Sequence, residues 1–257
     1  MIMKKKTLYY KDELNDDFAP TRDLLGGYTT PSDFQYLPGS YAYRVLSSAL
    51  YRCATPIASL WCRLYHGVVI HNRRAVFSVP SGFFLYGNHT QSVCDAFLPT
   101  LISFPRRSRI VTSPSSIATG LLRTLVPMLG GLPLPSDIRG ARKFLNAMQT
   151  CVEHGESVTI YPEAHIWPYY NKIRPFPADS FSYPARMKVP VIAFVVTYRR
   201  PPLLQDARPL ISVTLSDPIL PESYTNAREL RDRVYDFMRT TAEEKKSVAR
   251  YDYEKTE

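Results

Sequence analysis

The run KVPVIAFVVTYR, Lys188 to Arg199, sharply limits the folds that this chain can adopt. Every residue from Val189 to Val196 is apolar, so an extended chain here has no polar face. Strands of this kind are buried on both faces, as in the centre of a mainly parallel sheet. The run therefore predicts a central strand that is covered on both sides.

Short apolar runs alternate with helical patterns along most of the chain. Strands are predicted at 67–71, 83–87, 109–113, 157–163 and 208–219, and helices at 95–104, 118–131, 137–157 and 226–246. This alternation predicts an α/β domain, a mainly parallel mixed sheet flanked by helices, over residues 66–257. Residues 1–40 lack such a pattern, and we expect them to form an irregular amino-terminal arm.

The apolar pattern of residues 41–65 predicts an amphipathic helical segment. Its apolar stripe, at spacings of four and three, consists of Leu46, Leu50, Cys53, Ile57, Leu60 and Leu64. Pro56 is expected to bend or divide the helix. Arginines interrupt the segment, so no run of about 18 uncharged apolar residues predicts a spanning helix. Two interpretations remain: a helix lying in a membrane interface, or a helix packed against the domain.

Charge and cysteine content restrict the partners and the compartment. The chain has 32 Lys and Arg against 23 Asp and Glu, a formal charge of +9, which favours an anionic lipid surface, a phosphorylated substrate or nucleic acid. The basic residues are spread along the chain without a nucleic-acid-binding module, so we expect no nucleic-acid partner. Four cysteines without paired spacing and an opening without an apolar signal region predict a reduced, cytoplasmic protein.

Two groups able to do acid–base chemistry follow predicted strands. His89 comes just after FFLYGN, and Glu163 just after TIYP. Ligands of open α/β sheets gather at the carboxyl ends of strands. A neutral His89 is therefore a candidate general base, with Asp95 binding its other ring nitrogen. The alternative is that His89 and Asp95 only cap a helix or form surface polar contacts.

Several other chemistries lack their residues. There is no GxSxG elbow for a serine hydrolase, no HExxH or second histidine near His89 for zinc, and no glycine-rich phosphate loop. Cys94 is expected to be a small packing residue rather than a nucleophile. We therefore expect neither a metal nor a cofactor.

Four stretches together resemble the sequence blocks of the glycerolipid acyltransferase family, which includes the lysophosphatidic acid acyltransferases. In chain order they are GNHTQSVCDAF, GGLPLPSDIRGARKF, YPEAHIWPYYNKIRPFP and KVPVIAFVVTY. The resemblance covers roughly residues 83–198, a little under half of the chain. It implies the α/β fold of that family, with His89 as the general base and Asp95 as the residue that orients its ring.

The chain departs from the family pattern in three blocks. Five residues instead of four separate His89 from Asp95, so the turn must absorb the extra residue. The third block, typically Phe-Pro-Glu-Gly-Thr-Arg, reads Tyr-Pro-Glu-Ala-His-Ile here. The second block has Asp137 where the family has an arginine. The resemblance implies an acceptor site that contains Glu163. Lys172 and Arg174, with His165 nearby, take the place of the third block's arginine, and Arg139 takes the place of the second block's arginine.

The resemblance also implies direct acyl transfer. An acyl thioester of coenzyme A or of acyl carrier protein is the expected donor and co-substrate, and a lysophospholipid or other alcohol the acceptor. A membrane surface is the further expected partner, which places the protein on the inner face of the membrane as a peripheral protein. Two alternatives stay open: hydrolysis of acyl thioesters or lipids by the same histidine, and a catalytically weakened lipid-binding protein with the same fold.

Overall fold

A seven-stranded sheet lies at the centre of the domain. The structure, a computed structural model, describes residues 6–18, 27–91, 93–201 and 208–256. The strand order of the central sheet is β2-β8-β7-β3-β6-β4-β5. The five strands from β7 to β5 run parallel, and β8 pairs antiparallel with β7. The mainly parallel mixed sheet expected from the sequence is therefore present.

The described ranges contain nine strands, two of which lie outside the central sheet. The strands are β1 (Thr7–Tyr10), β2 (Val69–His71), β3 (Phe83–Gly87), β4 (Ser108–Thr112), β5 (Gly131–Pro133), β6 (Ser157–Ile160), β7 (Val191–Arg199), β8 (Leu210–Leu215) and β9 (Asp252–Lys255). The α-helices are α1 (Tyr41–His66), α2 (Arg74–Ser78), α3 (Leu98–Ser103), α4 (Gly120–Met128), α5 (Ile138–Glu153), α6 (Ser182–Met187) and α7 (Ala227–Glu244).

Both faces of the sheet are covered. In β3, whose five residues are all buried, Phe83 and Leu85 belong to one core cluster and Phe84 and Tyr86 to the other. Helices α5 and α7 contribute to the Phe84 cluster, and α2 and α3 to the Phe83 cluster. Period-two alternation along a strand thus gives each helix layer its own apolar surface. The result is a three-layer α/β domain.

Strand β7 confirms the prediction made from KVPVIAFVVTYR. It lies between β3 and β8, and its residues from Val191 to Tyr198 are all buried. Burial on both faces is what its uninterrupted apolar sequence requires. The strand also reaches the end of β3, where the candidate catalytic residues begin.

Helix α1 attaches to the domain through small and polar side chains. Its buried residues are Ser47, Tyr51, Thr55, Cys62 and His66. Ser47 Oγ donates to the Met128 carbonyl oxygen at 2.8 Å, and the Tyr51 hydroxyl accepts from the Ser108 N–H at 2.9 Å. Pro56 lies inside α1 and does not divide it.

The apolar stripe predicted for this helix faces outward. Ile57 is 70% exposed and Leu64 is 77% exposed. Helix α1 is thus packed on the domain, but the stripe is not the packed surface, because Ser47, Tyr51, Thr55, Cys62 and His66 occupy that face. Over the described ranges, no helix combines the length and the apolar character needed to cross a bilayer.

The arm expected at residues 1–40 contains regular structure that the sequence did not predict. Strand β1 pairs in parallel with β9, with Thr7 opposite Asp252 and Tyr10 opposite Lys255. Residues 1–5 and 19–26 of the predicted arm lie outside the described residues. The β1–β9 pair forms a separate two-stranded sheet.

Candidate active site

The end of β3 is fastened to β7 by a side chain. Asn88 Nδ2 donates to the Val196 carbonyl oxygen at 3.0 Å, and Asn88 Oδ1 accepts from the Val196 N–H at 2.7 Å. Asn88 is buried, and its amide completes the pairing that the backbone of β3 no longer provides. The chain can therefore leave the sheet at His89 while the Val196 N–H and carbonyl oxygen stay paired.

One carboxylate oxygen of Asp95 contacts the His89 ring and two backbone N–H groups. Asp95 Oδ2 lies 2.8 Å from His89 Nδ1 and accepts the backbone N–H groups of Thr90 at 3.0 Å and Gln91 at 2.8 Å. Because Oδ2 already accepts two backbone N–H groups, it is an acceptor toward the ring as well, and we assign His89 Nδ1 as the donor of this hydrogen bond. The second ring nitrogen, Nε2, is left as the basic one.

The Asp95 carboxyl is deeply buried, whereas the His89 side chain is 18% exposed. Burial raises the pKa of Asp95, and the hydrogen bonds from His89, Gln91 and Thr90 oppose this rise by favouring the charged form. Its other oxygen, Oδ1, is buried and has no hydrogen-bond partner among the described residues. The pair therefore places a carboxylate with little solvation directly behind a partly exposed imidazole.

The turn absorbs the extra residue between His89 and Asp95. A short 3₁₀ helix, Cys94–Ala96, brings Asp95 back toward the turn, and Val93 is exposed at its start. The Tyr198 hydroxyl lies 2.6 Å from Thr90 Oγ1. It also accepts a hydrogen bond from Gln91 Nε2 at 3.0 Å. These contacts fix the longer turn, so the contact expected between His89 and Asp95 is present.

Tyr161 supports both members of the pair. Its ring stacks on the His89 imidazole with centroids 4.5 Å apart, and its hydroxyl donates to the Asp95 carbonyl oxygen at 2.6 Å. Burial raises the pKa of this hydroxyl well above its usual value, so it remains a donor. Sequence reasoning missed this residue, although its place directly before Pro162 and Glu163 was the available signal.

Glu163 and Arg174 form a buried pair beneath the histidine rather than an open acceptor site. Their side chains are 0% and 1% exposed. Glu163 Oε2 accepts the His89 N–H at 3.2 Å and Oε1 accepts the Arg174 N–H at 3.1 Å. The Arg174 guanidinium contacts Glu163 and donates to the carbonyl oxygens of Glu13 and His165. An acceptor therefore reaches neither side chain in this structure.

His165 is the predicted acceptor residue that lies beside this pair and is also partly exposed. Its Nδ1 lies 3.4 Å from Asp17 Oδ2, and Asp17 Oδ1 accepts the Ile166 N–H at 3.2 Å. The involvement of Asp17 was not predicted, because nothing in the sequence relates residue 17 to residue 165. The segment before the central domain thus reaches the site.

The other two predicted cations are exposed, unlike Arg174. Lys172 is exposed on the loop after β6, and Arg139 is exposed in the first turn of α5. Helix α5 follows β5, which is three strands away from β3, or about 14 Å along the sheet. Asp137 caps α5 by accepting the Gly140 N–H at 2.6 Å, which is its role at this place in the block.

Cys94 adjoins Asp95 but is not arranged as a nucleophile. Its side chain is fully buried, and its Sγ lies 3.9 Å from the Cys62 Sγ. The contact with Cys62 and burial both raise the pKa of the Cys94 thiol, so it is not a thiolate at neutral pH. Within the residues that the structure describes, no three His, Cys, Asp or Glu side chains are grouped to hold a metal ion.

The arrangement defines a class of site: a histidine with a buried carboxylate behind it, at the carboxyl edge of an α/β sheet. No family model and no curated protein matches the chain. A solved structure does match, the 1-acyl-sn-glycerophosphate (LPA) acyltransferase PlsC from Thermotoga maritima. The likeness covers 83% of this chain and 86% of that chain, with a TM-score of 0.56 and 16% sequence identity. The chain therefore shares the fold of that structure.

The residue after Glu163 provides a test of the local backbone. Ala164 has a φ of 61°, in the left-handed region that favours glycine. Ala164→Gly should raise the free energy of unfolding by about 0.5–1 kcal/mol, because relief of the strain exceeds the added entropy of the unfolded chain. Urea denaturation of the two proteins measures the difference.

Ala118→Gly is the matched control, since Ala118 has an ordinary φ of -68°. This control should lose about 0.5–1 kcal/mol. Equal losses of stability in both variants would contradict the strained conformation of Ala164.

Proposed function

We propose that this protein is an O-acyltransferase of phospholipid biosynthesis. It moves a fatty acyl group from acyl-CoA or acyl carrier protein to a hydroxyl of a glycerolipid-type acceptor such as lysophosphatidic acid. The observation that carries the proposal is the 2.8 Å contact of His89 with the buried Asp95 at the end of β3. The acyltransferase fold and the ordered sequence blocks support it.

In the proposed reaction the basic His89 Nε2 removes the proton from the acceptor hydroxyl. The alcohol oxygen forms a bond to the thioester carbonyl carbon, and the carbon–sulfur bond of the resulting intermediate then breaks. The imidazolium gives its proton to the leaving thiolate, which leaves as a free thiol. Asp95 stabilises the imidazolium during both steps. No acyl-enzyme forms, which agrees with the buried, protonated state of Cys94.

The roles of the acceptor residues follow from their exposure. His165 is the residue that we propose to contact the acceptor, because it is partly exposed and lies next to the Glu163–Arg174 pair. Lys172 and Arg139 are exposed and can contribute charge near the carboxyl edge of the sheet, where an anionic headgroup would lie. Glu163 and Arg174 act on the backbone of the site instead, since both are enclosed.

The catalytic proposal predicts the effects of two substitutions. His89→Ala and Asp95→Asn should each lower acceptor-dependent release of CoA from acyl-CoA by about 10²–10⁴-fold. In Asp95→Asn the amide oxygen can still accept the N–H groups of Thr90 and Gln91, so the fold should persist while the imidazolium loses its counter-charge. His154→Ala, at an exposed histidine after α5, is the control and should remain active.

The assay separates the alternatives when it compares lysophosphatidic acid, glycerol 3-phosphate and unphosphorylated alcohols. Release of CoA that requires His89 but does not depend on any acceptor would establish a hydrolase. An absence of release with both CoA and carrier-protein donors, although the protein binds lipid, would establish a binding protein.

We further propose that the outward face of α1 lies on the membrane. Its exposed apolar side chains include Tyr41, Val45, Leu46, Ile57, Leu60, Leu64 and Tyr65. Leu121 of the neighbouring helix α4 is also exposed. Arginines at 44, 52, 63 and 123 are exposed on the same two helices, and their charge would attract anionic headgroups. This surface would place the protein on the inner face of the membrane.

Vesicle flotation tests the membrane proposal. Ile57→Asp should weaken partitioning into anionic vesicles by roughly 10-fold or more, because an apolar side chain that enters the acyl region contributes about 1.5–3 kcal/mol. Ile138→Asp is the matched control, since Ile138 is an equally apolar residue, 86% exposed on α5. Equal flotation of both variants and the wild type would exclude α1 as the contact.

A further inference from the structure

The backbone of His89 is held on both sides by one loop, residues 161–174. Glu163 accepts the His89 N–H at 3.2 Å, and the Trp167 N–H donates to the His89 carbonyl oxygen at 3.2 Å. The Tyr169 N–H donates to the Thr90 carbonyl oxygen at 3.0 Å. The position of His89 therefore depends on where this loop lies.

Trp167 is the residue through which this loop is fixed. Its side chain is fully buried, and its Nε1 donates to the Asp16 carbonyl oxygen at 2.8 Å. The Arg174 guanidinium lies over its ring, 5.0 Å from the centroid. A tryptophan held through its ring, its Nε1 and its backbone N–H cannot shift without moving the chain beside His89.

The ring of Trp167 is enclosed by the β1–β9 pair. The Tyr253 ring stacks on it with centroids 5.0 Å apart and planes 9° apart, and the Tyr10 ring lies 4.7 Å away. The Tyr253 hydroxyl donates to the Pro168 carbonyl oxygen at 2.7 Å. The Phe18 N–H adds a bond to the Ile166 carbonyl oxygen at 3.1 Å.

The β1–β9 pair packs on the loop that holds His89, and stability alone does not account for this location. Two four-residue strands form a marginal sheet by themselves, so the β1–β9 pair depends on what it packs against. It packs against the loop that holds His89, and the aromatic contacts lie on the residue that bonds His89 directly. The same contacts that stabilise the pair thus restrain the histidine.

We propose that the β1–β9 pair positions His89 for the reaction, with Trp167 as the positioning residue and Tyr10 and Tyr253 as its clamp. The inference rests on the proposed acyl transfer. Removal of the clamp lets the Trp167 backbone move, which shifts His89 relative to Asp95 and Tyr161. A misplacement of about 1 Å can cost about 10²-fold in rate without loss of substrate binding.

The test uses the full-length protein and substitutions in β1 and β9. Tyr253→Leu and Tyr10→Leu should lower kcat by about 10–100-fold, with KM for donor and acceptor changed by less than about threefold. Tyr253→Phe keeps the stacking and should retain most of kcat. Tyr9→Leu is the matched control, because Tyr9 is the neighbouring tyrosine of β1 and is 61% exposed.

A second readout follows the His89 imidazole itself by proton NMR, with the resonance identified by its loss in His89→Gln. Stacking on Tyr161 at 4.5 Å makes this resonance sensitive to ring position. It should move in Tyr253→Leu and Tyr10→Leu and stay in place in Tyr9→Leu. Urea denaturation, run in parallel, checks that each variant is folded under the assay conditions.

Unchanged kcat and an unchanged His89 resonance in folded Tyr253→Leu and Tyr10→Leu would overturn the proposal. Equal effects in Tyr9→Leu would overturn it as well, since they would show a general effect of altering β1. A wild-type protein without transfer activity would refute the proposed function instead, and the NMR comparison would still decide whether the pair positions His89.

Discussion

The oxygen Asp95 Oδ2 is the point on which the site depends. It receives the Thr90 and Gln91 N–H groups and the His89 ring at 2.8–3.0 Å. The same atom therefore shapes the turn after β3 and, as a charged acceptor, favours the imidazole tautomer with its hydrogen on Nδ1. Its burial makes these bonds strong and makes their loss costly, because an unpaired buried N–H group costs about 1–3 kcal/mol. Local folding and the proposed catalysis thus share one interaction.

The order of the strands brings the rest of the site to that turn. Strand β3 lies between β6 and β7, so the residues that follow β6 and the end of β7 flank His89. Glu163 supports the His89 N–H from the β6 side, and the Asn88 amide bonds Val196 on the β7 side. A histidine fixed through its backbone and through Nδ1 needs little reorganisation to act as a base.

The sequence predicted the α/β class, the buried strand β7 and the closeness of His89 to Asp95, because apolar period and motif order are local properties. It did not predict the role of Glu163, since burial depends on the neighbours that folding provides. The outward face of α1 could not be assigned either, because a stripe of apolar residues suits a core and a membrane equally. The β1–β9 pair joins residues too distant in sequence for any local pattern to reveal.

The position of the hydrogen on the neutral His89 ring decides whether Asp95 prepares Nε2 to act as the base. Nitrogen-15 NMR of histidine-labelled protein, with His89→Gln for assignment, distinguishes the two neutral tautomers of the imidazole. If Asp95 sets the tautomer, the neutral form of His89 near neutral pH carries its hydrogen on Nδ1, toward Asp95, and has no hydrogen on Nε2. A neutral ring with its hydrogen on Nε2 would contradict it, because that nitrogen could then not accept a proton from an acceptor hydroxyl.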